Sequence, residues 1–347
     1  MPVPRYRYVP VLRWKRGEKV GVRNVAPTSR QGIVPLFLLA PTRYVGKAAT
    51  KSHPAIAPAN FFAQEMATIW GTLPFFLDAS EIPHSGGGHH PFAAIAARAR
   101  TQGLSLIPAT WLGAPAPYQQ AVNAAVSVDH RGVGLRVDLQ ELTSAATWIA
   151  AWPHQPNQTH LLVDFGSDVI TVAALGNSVT HAFASLHQAA NWRSVTIIGT
   201  SMPDTFQGWQ QGLHTIPRTE WLLWQTICAT SLPYRLDYGD YATVPTTPAP
   251  VGIQWGYPIS VRYTLEDKFL ICRGVRTTGI GGVDMDQQLV THATSIVQYP
   301  QRAPLAHCWA DTRIDNIAAG NEPPRGLEAW VQIGVNRHIE LTRNRLP

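Results

Sequence analysis

Val133-Gly134-Leu135-Arg136-Val137-Asp138 and Thr159-His160-Leu161-Leu162-Val163-Asp164 are two near-continuous apolar runs of strand length. Between them, residues 143–152 open with Thr-Ser, a fitting helix cap, and carry an Ala/Trp/Ile face. Apolar runs without alternation are what strands buried on both faces look like. A helix between two of them returns the chain to lay the second strand parallel to the first. The same unit extends in both directions. Upstream lie strand-like runs at residues 8–14, 33–39, 73–78 and 104–109, and downstream at 194–199 and, more weakly, 234–238. Helix-like segments occupy 61–71, 91–102, 181–191 and 217–231, the last with Pro217 suited to a first helical position.

Eight such strands before residue 242 predict closure into a (β/α)₈ TIM-type barrel rather than an open sheet. An open sheet would advertise a nucleotide loop after its first strand. No such loop is written here, and the glycine run 86–88 is followed by His89-His90-Pro91. Past residue 243 the pattern changes. Residues 244–250 read as a linker, and 259–265 with 268–275 as a two-stranded hairpin turning at Glu266-Asp267. Residues 285–299 and 327–337 read as helices. The expected organisation is a barrel over 1–243 and a C-terminal hairpin-and-helix extension over 244–347, packed on the barrel.

Composition supports a large core: 45% of residues are hydrophobic and 14% charged, the reverse of a disordered chain. The longest apolar stretches, 33–40 and 104–109, fall well short of the ~20 residues of a membrane span, so no membrane is expected as partner. Residues 1–6 lack the pattern of a secretion signal, and three scattered cysteines suggest no disulfide framework. A reducing cytoplasm is the expected location. The net charge of +6 permits nucleic acid as a partner without favouring it, because no Lys/Arg run exceeds a pair.

The stretch Tyr8-Val9-Pro10-Val11-Leu12-Arg13-Trp14-Lys15-Arg16-Gly17-Glu18-Lys19, continued by Ile33-Val34-Pro35-Leu36, resembles the beta family protein group of bacteria and their phages. So does Trp330-Val331-Gln332-Ile333-Gly334-Val335-Asn336-Arg337-His338-Ile339 near the other end. The likeness therefore spans the chain. Where that family more often carries paired histidines, this sequence has Arg337-His338, which weakens a shared chemical role for the two positions. The resemblance implies no defined reaction. Its association with phages and mobile elements implies a part in conflict or antiviral defence.

In a barrel of this kind, sites are built from the carboxyl-terminal strand ends. Those ends supply Lys15 and Glu18, Asp78, Thr110 and Trp111, Arg136 and Asp138, Asp164, Thr200 and Ser201, and Asp237 with Asp240. Asp78, Asp164, Asp237 and Asp240 are the candidate catalytic acids. They could bind a divalent cation such as Mg²⁺ or Mn²⁺, act as acid and base, or simply cap the helices that follow. Arg136, a charge inside an apolar strand, needs either Asp138 or a bound anion. Gly17 would permit a turn that aims Lys15 and Glu18 at the mouth. Around Leu236-Asp237-Tyr238-Gly239-Asp240-Tyr241, Arg262 could meet an anion and Tyr263 stack, while His338 reaches the mouth only if the tail folds back. Trp14 and Trp111 could line a pocket. The histidines at 84, 89 and 90 read as a mobile loop rather than a zinc site, and no nucleophile elbow is present.

Two functions follow from these residues. The preferred one is a hydrolase or lyase, with a divalent cation as its candidate cofactor, acting on an anionic, phosphorylated or nucleotide-like substrate gripped by Lys15, Arg136 and Arg262. The alternative is a non-catalytic module that recognises a protein or a nucleic acid.

Overall fold

The computed structural model describes residues 7–50, 54–84, 89–247, 258–302 and 306–347. The glycine run 86–88 and the end of the expected linker lie outside the described residues. In chain order the strands are β1 (Tyr8–Arg13), β2 (Leu36–Leu38), β3 (Phe75–Asp78), β4 (Leu106–Trp111), β5 (Val133–Val137) and β6 (Thr159–Asp164). They continue with β7 (Ser194–Gly199), β8 (Gly212–Pro217), β9 (Leu236–Asp240), β10 (Ser260–Thr264) and β11 (Lys268–Arg273). Eight of them, β1 to β7 and β9, close into one parallel barrel, with β9 pairing both β7 and β1. Every apolar run read as a strand contributes one, and the fold is a (β/α)₈ barrel.

The pleat sorts the side chains into two cores. Val9, Val11, Leu36, Phe76, Ile107, Ala109, Leu162, Ile198 and Tyr241 fill the barrel interior. Residues of opposite parity, such as Tyr8, Phe37, Leu135, Leu161 and Ile197, join the outer core under the helices. Alternate residues of one strand thus face different neighbourhoods, and this decides which strand-end residues can meet.

β8 was not read as a strand. It leaves the barrel wall and pairs antiparallel with β11, giving a three-stranded sheet in the order β10-β11-β8. Its exposed residues offered no apolar run to recognise. Pro217 accordingly closes β8, and the next helix begins at Thr219. Pro217 lies in an edge strand, where proline's missing N–H costs least. The expected helix over 143–152 is instead broken into Leu139–Thr143 and Ala145–Trp148, followed by a 3₁₀ turn. The helices Ala116–Asp129 and Trp309–Ala318 were not anticipated.

The segment after β1 departs most from expectation. Gly17 makes no turn, because it lies inside the helix Arg16–Arg23. A Cβ at Gly17 would sit 2.8 Å from Val331 Cγ1, and one at Gly21 2.9 Å from the Gln332 carbonyl and from Val335. Two glycines four residues apart therefore let this helix lie directly on the terminal helix Gly326–Arg345. A third core, including Val261, Leu270, Leu289, Ile314 and Trp330, fills the space among β10, β11 and the last helices.

Candidate functional site

Above the apolar interior, the inward-facing positions at the carboxyl ends of the strands turn polar. Arg136, next in register to Trp111 of β4 and Leu162 of β6, stands at the centre. Its Nη1 donates to Asp78 Oδ2 at 2.7 Å and its Nη2 to Asp164 Oδ2 at 2.9 Å. Tyr241, just past β9, donates its hydroxyl to the same Asp164 oxygen at 2.7 Å. The outer oxygens are fixed as well: Asp78 Oδ1 accepts from the Ser80 amide and hydroxyl, and Asp164 Oδ1 from the Gly166 amide. The two carboxylates are 7% exposed and the arginine side chain 25%. Burial works against the Arg136 cation, but Asp164, Tyr241 and Asp78 outweigh it and hold the guanidinium well above its ordinary value. Burial also raises Tyr241 well above the usual phenol range, with the Asp164 charge adding to it, so its proton stays on.

Asp138, one of the two partners expected for Arg136, does not pair with it. It caps the helix Leu139–Thr143 in a reciprocal box with Glu141. The array of Asp78, Arg136, Asp164 and Tyr241 floors a cavity of about 630 Å³, whose wall includes Trp111, Glu81, Glu141 and Asp168. Six carboxylates and one arginine line it, so its field is acidic. A divalent cation does not fit this floor, because Arg136 already lies between the two carboxylates and takes an oxygen from each. Among the described residues no group of three or more His, Cys, Asp or Glu could hold a metal.

The sequence model of one family, Beta protein, matches residues 8–342. The chain belongs to the Beta protein family. No curated protein matches it. In this chain the two stretches that carried the likeness, 8–19 and 330–339, come together in space, since Gly17 packs on Val331.

A second cleft, of about 430 Å³, opens beside the acidic cavity. Into it project Arg13 and Lys15 from the end of β1, Arg43 from the 3₁₀ turn Pro41–Arg43, and Arg262 from β10. Glu18, also in its wall, is buried and accepts the Arg13 amide at 2.5 Å. Burial pushes the Glu18 carboxyl up to about 7, although Arg13 and Lys15 pull the other way. Arg13 donates to the carbonyls of Pro245 and Thr246. Because Thr246 lines the acidic cavity while Pro245 and Thr247 line the basic cleft, this loop is the partition between them.

The other expected site residues lie elsewhere. Asp237 sits at the amino-terminal end of β9, at the opposite mouth, where it accepts the Arg7 amide and pairs with Arg235. Asp240 points outward, fully buried, between the Tyr8 hydroxyl, His338 Nε2 at 2.7 Å and the Arg218 guanidinium. Against burial, which works to raise it, His338, Arg218 and Tyr8 hold the Asp240 carboxyl at about 2. His338 also meets Thr264 and stacks on Phe269, away from the mouth. The tail does fold back, but it carries His338 into the core. Tyr263 donates to Asp311, whose other oxygen receives Arg337, so Arg337 and His338 serve different networks. Arg262 and Tyr263 cannot act together because adjacent strand residues face opposite sides. Trp14 is core, packed on Phe37 and Phe62, whereas Trp111 does line the cavity. His90 is tied to Ile82 and Phe92. Arg13 and Arg43 were missed. Arg13 had a signal, a charge ending an apolar strand, while Arg43 had none.

Proposed function

We propose that this protein is a hydrolase or lyase working at the carboxyl-terminal mouth of its barrel on an anionic, phosphorylated or nucleotide-like substrate, in conflict between phage and bacterium. The observation that carries this reading is the array Asp78–Arg136–Asp164–Tyr241: four polar groups from four parts of the chain, mutually bonded on the floor of a cavity large enough for a small molecule. Arg136 donates one N–H to each acid and so holds both carboxylates in place on the cavity floor, as a positioned general base requires. The guanidinium, a quarter exposed to the cavity, can stabilise negative charge that develops as the base takes a proton from water or from carbon. Tyr241 orients Asp164 rather than acting as an acid, since its own proton is held tightly.

A wholly anionic molecule would be repelled by the acidic wall. Its charge therefore belongs on the side of Lys15, Arg43 and Arg262, with the reacting bond over Arg136. The test is a screen of phosphoesters against the native protein and Asp164→Asn. Turnover should fall about 10²- to 10⁴-fold in the variant, as for the loss of a general base. A folded Asp164→Asn protein with undiminished turnover would sink the assignment.

One observation favours the second reading, a recognition module. β8 is the open edge of its sheet, carries no charged residue, and leaves Leu213 47% exposed. Such an edge accepts an added strand from a protein partner. Capture of a partner abolished by Leu213→Lys but not by Asp164→Asn would select this reading.

A further inference from the structure

The basic cleft has an electrostatic feature that the fold does not require. Among the described residues, none of Arg13, Lys15, Arg43 and Arg262 forms an ion pair. The three acids in its wall are otherwise engaged: Glu18 accepts a backbone amide, Asp204 accepts the amide and hydroxyl of Thr247, and Glu328 pairs with Arg16. Arg262 is the clearest case. It donates once, to the Thr243 carbonyl at 2.9 Å, lies 5.2 Å from the Phe206 ring, and leaves its Nε buried with no partner. A buried guanidinium donor without an acceptor is costly, and like charges sharing one cleft add to that cost. Burial lowers Arg262 to about 10, and it lowers Lys15 too, helped by the Arg13 charge.

A further contribution comes from the backbone. The helix Arg16–Arg23 begins in this cleft, with Lys15 in the capping position and no side-chain cap on its first amides. Uncapped amides at a helix start are donors that suit an anion. Donors thus converge from the end of β1, a helix start, the turn after β2, and β10, an arrangement that suits a multivalent acceptor.

We propose that this cleft binds the phosphate group of a phosphomonoester or diphosphate, with Lys15, Arg43 and Arg262 as its ligands and Arg13 holding the wall behind it. Several oxygens and two or more negative charges match three free cations from three directions, which a single carboxylate does not. The volume, about 430 Å³, exceeds what a phosphate group needs, leaving room for the organic part beside the loop of Pro245 and Thr246. Phosphate capture stands by itself. Only the identification of that phosphate as the handle of the substrate rests on the proposed function, which it narrows to substrates whose reacting bond lies one loop's width from a terminal phosphate.

The experiment is calorimetric titration of the full chain with inorganic pyrophosphate at constant ionic strength, with chloride as the control anion. Lys15→Gln and Arg43→Gln are the variants of choice, because Arg43 is exposed and Lys15 only half-buried, so both fold. Each should weaken pyrophosphate about tenfold and the double variant about a hundredfold, the usual worth of a charge-assisted contact. Asp164→Asn should leave the affinity unchanged. Absence of binding at millimolar pyrophosphate, or equal affinity in the native and double-variant proteins, overturns the proposal whatever Asp164→Asn does to turnover. A hundredfold loss in the double variant upholds it even if no reaction is found at the acidic cavity.

Discussion

Replacing Glu18 by Gln should make the protein more stable at neutral pH, and by an amount that depends on pH. Glu18 is 2% exposed, and burial carries its carboxyl from 4.5 to about 7. A carboxyl whose value rises on folding favours the folded state while both states are protonated. That contribution is fully present below pH 4.5 and is lost as pH rises through about 7. At 1.36 kcal/mol per pH unit, the displacement corresponds to about 3 kcal/mol surrendered by pH 8. Glutamine stays neutral and keeps an acceptor for the Arg13 amide, so it avoids this loss. Urea denaturation of both proteins from pH 4 to 8 should therefore give curves that coincide near pH 4.5. They should diverge in favour of Glu18→Gln, levelling above pH 7 at about 3 kcal/mol. Taking the difference cancels the titration of every other group. Glu328→Gln, at an exposed ion pair with Arg16, serves as control and should shift by no more than about 0.5 kcal/mol at any pH. A Glu18→Gln protein that is less stable at pH 8, or a difference that does not grow with pH, refutes the burial account of Glu18. If the expected divergence is seen, the native protein retains an acid here at a cost to its own stability, which is common at functional sites.

Arg136→Met should destabilise by about 2 to 4 kcal/mol, because it strands Asp78 and Asp164, and adding Asp78→Asn and Asp164→Asn should restore part of the loss in urea denaturation. Gly21→Ala forces a Cβ to 2.9 Å from Gln332 and Val335, so the melting temperature should drop by the equivalent of about 1 to 3 kcal/mol; an unchanged value would mean that the two helices can separate. Asp240→Asn removes the charge shared by Arg218 and His338 and should cost about 3 kcal/mol or more, whereas Tyr8→Phe, losing one neutral donor to the same carboxylate, should cost about 1 kcal/mol by the same assay.

The barrel was legible because strands buried on both faces have to be written as unbroken apolar runs, and residues 133–138 and 159–164 obey that rule. β8 was illegible for the converse reason: it is exposed, and its partner β11 lies about fifty residues away. The helix Arg16–Arg23 was hidden by its two glycines, which favour a turn locally but here serve close packing against residues 331–335, beyond the reach of a local reading. In the site, Asp78, Arg136 and Asp164 were found by taking strand ends in a barrel. Asp237 was misplaced because β9 begins and ends about two residues later than its sequence suggests, which moves Asp237 to the other mouth and leaves Tyr241 in its stead. Asp240, His338 and Tyr263 are polar groups that the fold consumes internally, and one strand's pattern cannot reveal which face meets the C-terminal helices and sheet.

The packing of Arg16–Arg23 on Gly326–Arg345 has a consequence for biosynthesis. At ~5–20 residues per second, the last helix leaves the ribosome roughly 15 to 65 s after the first. During that interval the first helix exposes the bare face around Gly17 and Gly21, and β1 waits for β9, some 230 residues downstream, before the barrel can close. Contacts this distant in sequence slow folding and leave apolar strand edges uncovered meanwhile. The nascent chain is therefore expected to depend on chaperones until its final turn is made, and a ribosome stalled anywhere before residue 326 should present a protease-sensitive barrel rather than a finished one.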